Sequence, residues 1–260
     1  MSPESDSCGH DAHAADSAGV PWAGRSFRPN PHTGDAGEAD PALLAALNAF
    51  HDGTGDQVAI IDAYRRARLL IPLVTHKGED GIGPTGLHVD KTHELSIVTV
   101  AAPDGRRVLP VFSSVQAVGS WDATARPVPA DGIRTALAAA DDDTDLIVLD
   151  PGSPTEYVLR RPAVWAIAQQ IPWEPGPQNP DVFTALQESV ARELSVLDLQ
   201  VASGDPQARL RGPELLVRLS LVDGLDQPTL DALLARLAKR WAADDRIATL
   251  VDSLSVKLTR

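Results

Sequence analysis

The side chains that could carry out chemistry are concentrated between residues 76 and 93. His76, His88, Asp90 and His93 are all of metal-ligand type and fall near one predicted loop. A zinc site, however, needs three or four such side chains converging on one point. His88 and His93 are five residues apart, a spacing that fits neither one face of a helix nor one face of a strand. We therefore expect solvated loop side chains here and no metal site.

A glycine motif overlaps this region. Residues 81–86 read GIGPTG and match the pattern GxGxxG. Dinucleotide binding requires this motif to join a strand to the beginning of a helix. The residues that follow Gly86 lead into a predicted strand instead, and Pro84 stiffens the middle of the motif. The glycines therefore indicate a long loop, and we expect no nucleotide cofactor.

An acidic run at Asp141, Asp143 and Asp145 resembles the beginning of a calcium-binding loop. Leu146 stands where such a loop requires glycine, and Gly152 stands where it requires a bidentate glutamate. The sequence also has no GxSxG, GxxxxGK[ST] or HExxH motif. It thus offers no catalytic constellation. We assign no catalytic residues, no metal ligands and no cofactor, and we favour a protein that is not an enzyme.

Composition narrows the classes of partner. The 260 residues are 43% hydrophobic and carry a formal net charge of −13, which argues against DNA or RNA as a partner. The single cysteine excludes an internal disulfide. No apolar run approaches the roughly 20 residues of a membrane helix, and the first residues do not resemble a secretory signal. We expect a cytoplasmic protein that does not bind membranes.

The chain divides by composition into a tail and two domains. Residues 1–40 are rich in Ser, Gly, Asp and Ala and predict a flexible acidic tail. Trp22, Arg25 and Phe27 form an exception within it. This patch either packs loosely against its own domain or docks as a short strap in a groove, since Trp and Arg are common interface anchors.

Residues 41–172 predict a first α+β domain. Asp40-Pro41 is typical of a helix start, and Pro103-Asp104-Gly105 is typical of a turn between two strands. Ser113 and Gln116 resemble a capping box. The predicted helices begin at residues 41, 56, 113, 132 and 162, and the predicted strands cover 69–75, 93–100, 107–112, 145–149 and 155–159.

Residues 173–180 are proline-rich, and we expect a linker without regular structure. Residues 181–260 then predict a smaller domain in the order α-β-β-α-β. Its strands are marked by alternating apolar residues at 197–201, 215–221 and 254–258, and its main helix begins at Asp226. The predicted fold class is α+β, with two domains that each carry helices on a mixed or antiparallel sheet.

Several stretches, in this order, resemble the SseB family, the enhanced serine sensitivity proteins, in its actinobacterial form. They are Ala67–Val74, Asp90-Lys91-Thr92, Val98–Val100, Pro103–Arg107, Leu109–Ser114, Trp121-Asp122, Ala125–Pro129 and Arg160–Ala166. The resemblance covers an SseB amino-terminal domain and an SseB-like carboxyl-terminal domain. It implies no agreed catalytic residues and no established biochemical activity.

The shared residues give the candidate interaction surface. Phe112, Trp121 and Arg126 either fill structural positions or rim a recognition groove. Asp122 and Arg126 are four residues apart, which allows a hydrogen bond between them. Asp90 and Lys91 complete the set of candidates.

The leading hypothesis is a non-enzymatic protein-interaction or regulatory module that binds a partner protein or a second copy of itself. The alternative is a small-ligand sensor or an enzyme linked to amino-acid (serine) metabolism, for which a small-molecule ligand is required. A third possibility is assembly through the strand at residues 254–258.

Overall fold

The computed structural model describes residues 35–75, 81–82, 88–89, 95–97, 99–102, 105–141, 144 and 146–259. Residues Ala36–Arg260 belong to one compact unit. The fold is α+β, as the sequence predicts. The division of the chain into a tail, two domains and a linker stays a prediction.

The first half of the unit contains five helices and nine strands among the described residues. In chain order they are α1 (Pro41–His51), α2 (Gln57–Arg66), β1 (Arg68–Thr75), β2 (Gly81–Ile82), β3 (His88–Val89), β4 (Leu95–Ile97), β5 (Val100–Ala101), β6 (Arg107–Val111), α3 (Val115–Trp121), β7 (Arg126–Asp131), α4 (Gly132–Asp141), β8 (Ile147–Leu149), β9 (Tyr157–Leu159) and α5 (Arg161–Gln169).

The strands of this half form two main sheets. One has the order β5-β6-β8-β9, in which β6 and β8 are parallel and the other pairs antiparallel. The other, β4-β1-β7, is antiparallel throughout. A single bridge between Leu70 and Phe112 connects them. Helices α1, α2, α4 and α5 pack around a shared core that includes Leu43, Ile61, Val111 and Leu149.

The glycine motif begins with the two residues of β2 and precedes β3. Gly81 and Ile82 in β2 pair antiparallel with Val89 and His88 in β3. The motif therefore leads into a strand, as expected from the sequence, and does not join a strand to a helix as nucleotide binding would require.

Three details of this half differ from the sequence prediction. The single strand expected at 93–100 is two short strands in different sheets, since β4 pairs with β1 while β5 pairs with β6. The cap of α3 is Ser114, not Ser113, and its side chain accepts a hydrogen bond from the N–H of Ala117. Residues 126–131, which are not among the predicted strands, form β7. An edge strand tolerates Pro127 and Pro129 because part of its backbone needs no ladder partner.

The second half contains α6 (Pro180–Val190), β10 (Val196–Ser203), β11 (Leu215–Leu221), α7 (Gln227–Ala243), α8 (Asp245–Leu250) and β12 (Leu254–Thr259). The sheet has the order β10-β11-β12. It is mixed, because β10 and β11 are antiparallel while β12 runs parallel to β11. Its inner face packs against the three helices, with Leu215, Val217, Leu219, Leu233 and Trp241 in the core.

One residue of β10 does not follow the predicted alternation. Leu197 was expected on the inner face with Leu199 and Val201, yet it is 68% exposed, whereas Leu199 is buried. The register of β10 against β11 shifts between Val196 and Asp198. Such an irregularity breaks the two-residue period of a strand, and so it turns Leu197 outward.

The proline-rich segment before α6 is more ordered than the sequence predicts. Gly176–Gln178 form a short 3₁₀ turn, and Gly176 is buried. A Cβ added at Gly176 would lie 3.1 Å from the Oε1 atom of Glu214. The expectation of no regular structure was therefore wrong for these three residues. The reason is that a glycine between prolines can pack closely against Glu214, which directly precedes β11.

Buried charges lie where the two halves meet. Arg160 follows β9 and is only 7% exposed. Its guanidinium donates to Asp205 at 2.7 Å, to Asp252 at 3.0 Å and to the carbonyl oxygen of Gly212 at 2.8 Å. Arg106 contacts the other oxygen of Asp252 at 2.8 Å. Arg160, a buried side chain of the first half, thus donates hydrogen bonds to polar groups in two loops of the second half.

Glu214 lies beside this cluster and is also buried. Its carboxylate accepts a hydrogen bond from the N–H of Asp252 at 2.6 Å. Burial raises the pKa of Glu214, and the hydrogen bond from Asp252 and the charge of Arg160 offset this only in part. The ionised form of Glu214 is therefore disfavoured in the folded state relative to the unfolded chain.

This raised pKa predicts a contribution to stability that is complete below the ordinary glutamate pKa of 4.5. The contribution is lost as the pH rises through the higher pKa of the folded state, because the unfolded chain then releases its proton first. Glu214→Gln removes this dependence and keeps an acceptor for the N–H of Asp252. Denaturant unfolding at a series of pH values should show the variant gaining on the wild type as pH rises. Parallel curves for the two proteins would contradict the assignment.

Candidate functional site

Five of the interaction candidates lie outside the described residues. These are Trp22, Arg25 and Phe27 in the predicted tail, and Asp90 and Lys91 between β3 and β4. Their roles stay predictions. The remaining four lie between the end of β6 and the first residue of β7 and can be placed in the structure.

Phe112 and Trp121 are in contact. Phe112 is completely buried, directly after β6. Its ring centroid lies 5.3 Å from that of Trp121, which ends α3, and Val118 and Leu70 complete a small apolar cluster. Phe112 therefore supports Trp121 from the interior, while Trp121 remains partly accessible to a partner.

Asp122 and Arg126 are not joined. The Oδ1 atom of Asp122 accepts hydrogen bonds from the N–H and the hydroxyl of Thr124, at 2.8 and 2.7 Å. These bonds lower the pKa of Asp122. Within the described residues no hydrogen bond connects Asp122 to Arg126, whose backbone lies opposite Leu73 in the β7–β1 ladder. Asp122 thus stabilises the local turn, and Arg126 is not among the residues that line the groove described next.

Trp121 borders a groove with a volume of about 980 Å³. We call it the Trp121 groove and define it by Gly37, Ser113, Val115, Trp121, Asp150 and Ser153, which all line it. It lies at the carboxyl ends of the parallel strands β6 and β8, since Ser113 follows β6 and Asp150 follows β8. Loops at this edge of parallel strands commonly build binding sites, because the strands fix them side by side.

Asp150 organises the floor of the Trp121 groove. It is 2% exposed and has a φ of 48°, in the left-handed region. Its carboxylate accepts hydrogen bonds from the N–H and hydroxyl of Ser113, at 2.8 and 2.7 Å, and from the hydroxyl of Thr155 at 3.1 Å. These bonds lock the two loops together and offset the cost of an unusual backbone conformation.

Neither Asp150 nor Ser113 is among the site residues predicted from the sequence. A signal for Asp150 was present, because Asp150-Pro151-Gly152 is turn chemistry and Asp tolerates the left-handed region better than most residues. The pairing with Ser113 had no local signal. It depends on β6 and β8 being neighbours, and 37 residues separate the two partners.

Residues 36–39 form one wall of the Trp121 groove, with a bend at Gly37. The carbonyl oxygen of Gly37 accepts a hydrogen bond from the N–H of Val115 at 2.8 Å. The Arg68 guanidinium donates to the carbonyl oxygen of Glu38 and, at 3.2 Å, to that of Ser113. A Cβ at Gly37 would lie 2.6 Å from a methyl carbon of Val115, so the close approach requires glycine. This wall of the groove is therefore fixed by hydrogen bonds to main-chain carbonyl oxygens.

The remaining lining side chains supply hydroxyls, an amide and apolar surface. Ser114, Gln116 and Ser120 lie on one side, and Pro151, Ser153 and Pro154 on the other. Val115 is 46% exposed. Such a surface can donate and accept hydrogen bonds and pack against apolar groups, which is what recognition of a polypeptide requires.

The described residues contain no group of three or more His, Cys, Asp or Glu side chains arranged to hold a metal ion. None of their helices has the length and apolar composition needed to cross a membrane.

Comparison with known proteins bears on the first half of the chain. A comparison with curated proteins and one with solved structures each gave no match. The family model of the SseB protein N-terminal domain matches residues 42–166, a range that extends from α1 into α5 and includes Trp121 and Asp150. Residues 42–166 of this chain are therefore similar to the SseB protein N-terminal domain.

Proposed function

We propose that the protein is a non-enzymatic interaction module of the cytoplasm that binds an extended polypeptide segment in the Trp121 groove. One observation carries this proposal. Hydrogen bonds to the carbonyl oxygens of Gly37 and Glu38 already hold a short polypeptide segment, residues 36–39, along one wall of the groove. Main-chain recognition of this kind suits an extended segment, and neighbouring side-chain contacts then provide specificity.

The character of the groove supports a polypeptide partner over a nucleic acid. Trp121 is an aromatic side chain of the type that anchors interfaces, and Val115 adds exposed apolar surface. The lining residues include no lysine or arginine. The whole chain carries a net charge of −13, so a phosphate backbone would be repelled. A neutral or basic segment with an apolar side chain facing Trp121 is the expected partner.

Selection from a displayed library of random peptides, using the full chain as bait, tests the proposal. Ser120 is an exposed residue of α3 that lines the groove, and Ser120→Arg fills the groove without disturbing the core. Ala123→Arg adds the same side chain in the exposed turn after α3, outside the lining. Selected peptides should bind the wild type and Ala123→Arg equally and bind Ser120→Arg at least about tenfold more weakly, about 1.4 kcal/mol.

Two results would overturn the proposal. Either no peptide is enriched over the naive library, or the enriched peptides bind Ser120→Arg as tightly as the wild type. Thermal unfolding of both variants alongside the wild type establishes that each is folded.

A small-molecule ligand is the second candidate, as a sensor or enzyme of amino-acid metabolism. It is favoured by the size of the Trp121 groove, about 980 Å³, which is at the upper end of the range for small-molecule sites. Thermal-shift measurements with a panel of free amino acids and nucleotides separate the two candidates. Saturable stabilisation that Ser120→Arg abolishes would favour a small ligand, and an unchanged melting temperature across the panel would count against it.

A further inference from the structure

The three-stranded sheet β10-β11-β12 has an open edge at β12. This strand pairs with β11 along Leu254–Thr259. Within the described residues no strand pairs with its other side. Alternate N–H and C=O groups of β12 therefore point away from the sheet, and such a row of unpaired groups is a template for another strand.

Strand β12 has few of the features that usually prevent an edge strand from pairing with another chain. Its sequence, LSVKLT, contains no proline, and its register against β11 is continuous from Leu254 to Thr259. The opposite edge strand, β10, differs, because its register is irregular between Val196 and Asp198. Lys257 is the only charged side chain of β12. By these criteria β12 is the more accessible edge of the sheet.

The helices leave space beside this edge. An open groove of about 470 Å³ runs between β12 and helices α7 and α8. We call it the helix–strand groove and define it by Leu234, Ala238, Ala242, Ala248, Leu254 and Val256. The three alanines are exposed and small, so the helical layer is shallow here. A fourth strand added to β12 would place its inward side chains in this groove.

The chemistry of the helix–strand groove requires apolar side chains from that strand. Nine of the twelve lining residues are apolar. The carboxylate of Asp252, which also lines it, is 2% exposed and is bound by Arg106 and Arg160. An incoming strand must therefore present apolar residues at alternate positions on one face and tolerate Lys257 on the other.

The sequence of β12 itself meets this requirement. In an antiparallel arrangement with a two-fold axis at Val256, Leu254 lies opposite Leu258 of the second copy and Val256 opposite Val256. On the outer face Ser255 lies opposite Lys257, so the two lysines do not face each other. A register shifted to place the axis at Lys257 would bring these like charges together, which is unfavourable. Leu258, 40% exposed in the single chain, would be covered in the first register.

We propose that two copies of this chain associate through antiparallel pairing of their β12 strands about a two-fold axis at Val256. The result is a six-stranded sheet in which the apolar residues of each β12 fill the helix–strand groove of the other. This surface is separate from the Trp121 groove, and the inference does not depend on the proposed function.

Cysteine cross-linking tests both the pairing and its register. Ser255→Cys and Lys257→Cys are made separately in the full chain with Cys8→Ser, so that each protein has a single thiol. Residues directly opposite in an antiparallel pair are about 4.5–5.5 Å apart, within disulfide range. Two copies of residue 255 are diagonal, about 7–8 Å apart, which is too far. Oxidation of an equimolar mixture should give a covalent dimer, and each variant alone should remain uncross-linked.

Light scattering over a range of concentrations provides the second measurement. The wild type should change from the monomer to the dimer mass as concentration rises. Ser255→Lys, which puts a lysine opposite each Lys257 while leaving the inner face intact, should weaken the association at least about tenfold, about 1.4 kcal/mol. A monomer mass at every concentration, a dimer that Ser255→Lys leaves unchanged, or no cross-link in the mixture would each overturn the proposal.

Discussion

Replacing Arg160 with alanine is expected to lower the free energy of unfolding by about 3–5 kcal/mol, the usual cost of removing one partner from a buried ion pair. The side chains of Arg160, Asp205 and Asp252 are 8%, 4% and 2% exposed. Without the guanidinium, Asp205 loses its cation, and Asp252 keeps Arg106 as its cation and a hydrogen bond from the hydroxyl of Ser253. The buried charge that remains, more than the lost attraction, causes the destabilisation. Denaturant unfolding measures it.

Two further variants make this result specific. Arg134 forms an ion pair with Asp131 at 3.3 Å, but its side chain is 76% exposed, so Arg134→Ala should change the stability by about 0–1 kcal/mol. Arg160→Lys keeps a cation but loses the planar fork that reaches both carboxylates, and it should be intermediate. If Arg160→Ala unfolds at the same denaturant concentration as Arg134→Ala, the buried cluster does not hold the two halves together as described.

Replacing Asp150 with alanine is expected to cost about 2–4 kcal/mol, because the buried N–H of Ser113 loses its acceptor and alanine must adopt a left-handed conformation. The φ of 48° and the exposure of 2% leave little scope for relaxation. Because Asp150 also positions the loops of the Trp121 groove, the variant should lose affinity for any peptide selected by the wild type. Thermal and denaturant unfolding measure the first effect, and peptide titration measures the second.

The control for Asp150 is another aspartate that stabilises a turn. Asp122 accepts two hydrogen bonds from Thr124 on the surface, so Asp122→Ala should destabilise the protein much less than Asp150→Ala. Asp150→Asn keeps a carbonyl oxygen for Ser113 and tolerates the left-handed region, and it should retain most of the lost stability. Equal effects of Asp150→Ala and Asp122→Ala would show that burial of the Asp150 carboxylate contributes nothing beyond an ordinary turn.

The helices could be predicted well from local patterns. Asp40, Asp56 and Asp226 each precede a helix and cap it by accepting a backbone N–H, as their positions indicate. The inner face of α7 also follows the helical period, because Leu233, Leu237 and Trp241 recur every four residues and are buried. These features involve residues within one or two turns of each other, so the sequence contains the whole physical argument.

The positions of the strands could be predicted from the sequence better than their pairing partners. Alternating residues marked β10, β11 and β12 correctly, but the parallel pairing of β11 with β12 depends on how α7 and α8 cross the sheet. The segment predicted as one strand at 93–100 contributes to two sheets. Pairing partners are chosen by packing between distant segments, and local propensity carries no information about that choice.

In the candidate site, too, residue type could be interpreted from the sequence, whereas the position of a residue in the fold could not. Its aromatic residue, Trp121, could be selected from the sequence because its residue type is informative. Its companion Arg126 was selected for the same reason, yet it is not part of the groove lining and instead begins β7, where it pairs with Leu73 of β1.

From its residues alone this chain could be assigned an α+β fold, its helix boundaries, its alternating strands and a resemblance to a known domain family. These properties follow from backbone preferences and from the separation of apolar and polar side chains over short distances. The Ser113–Asp150 pair, the burial of Arg160 and the grooves beside Trp121 and β12 followed only from the folded chain. Each joins segments far apart in sequence, and their energies come from burial and contacts that exist only after the sheets have formed.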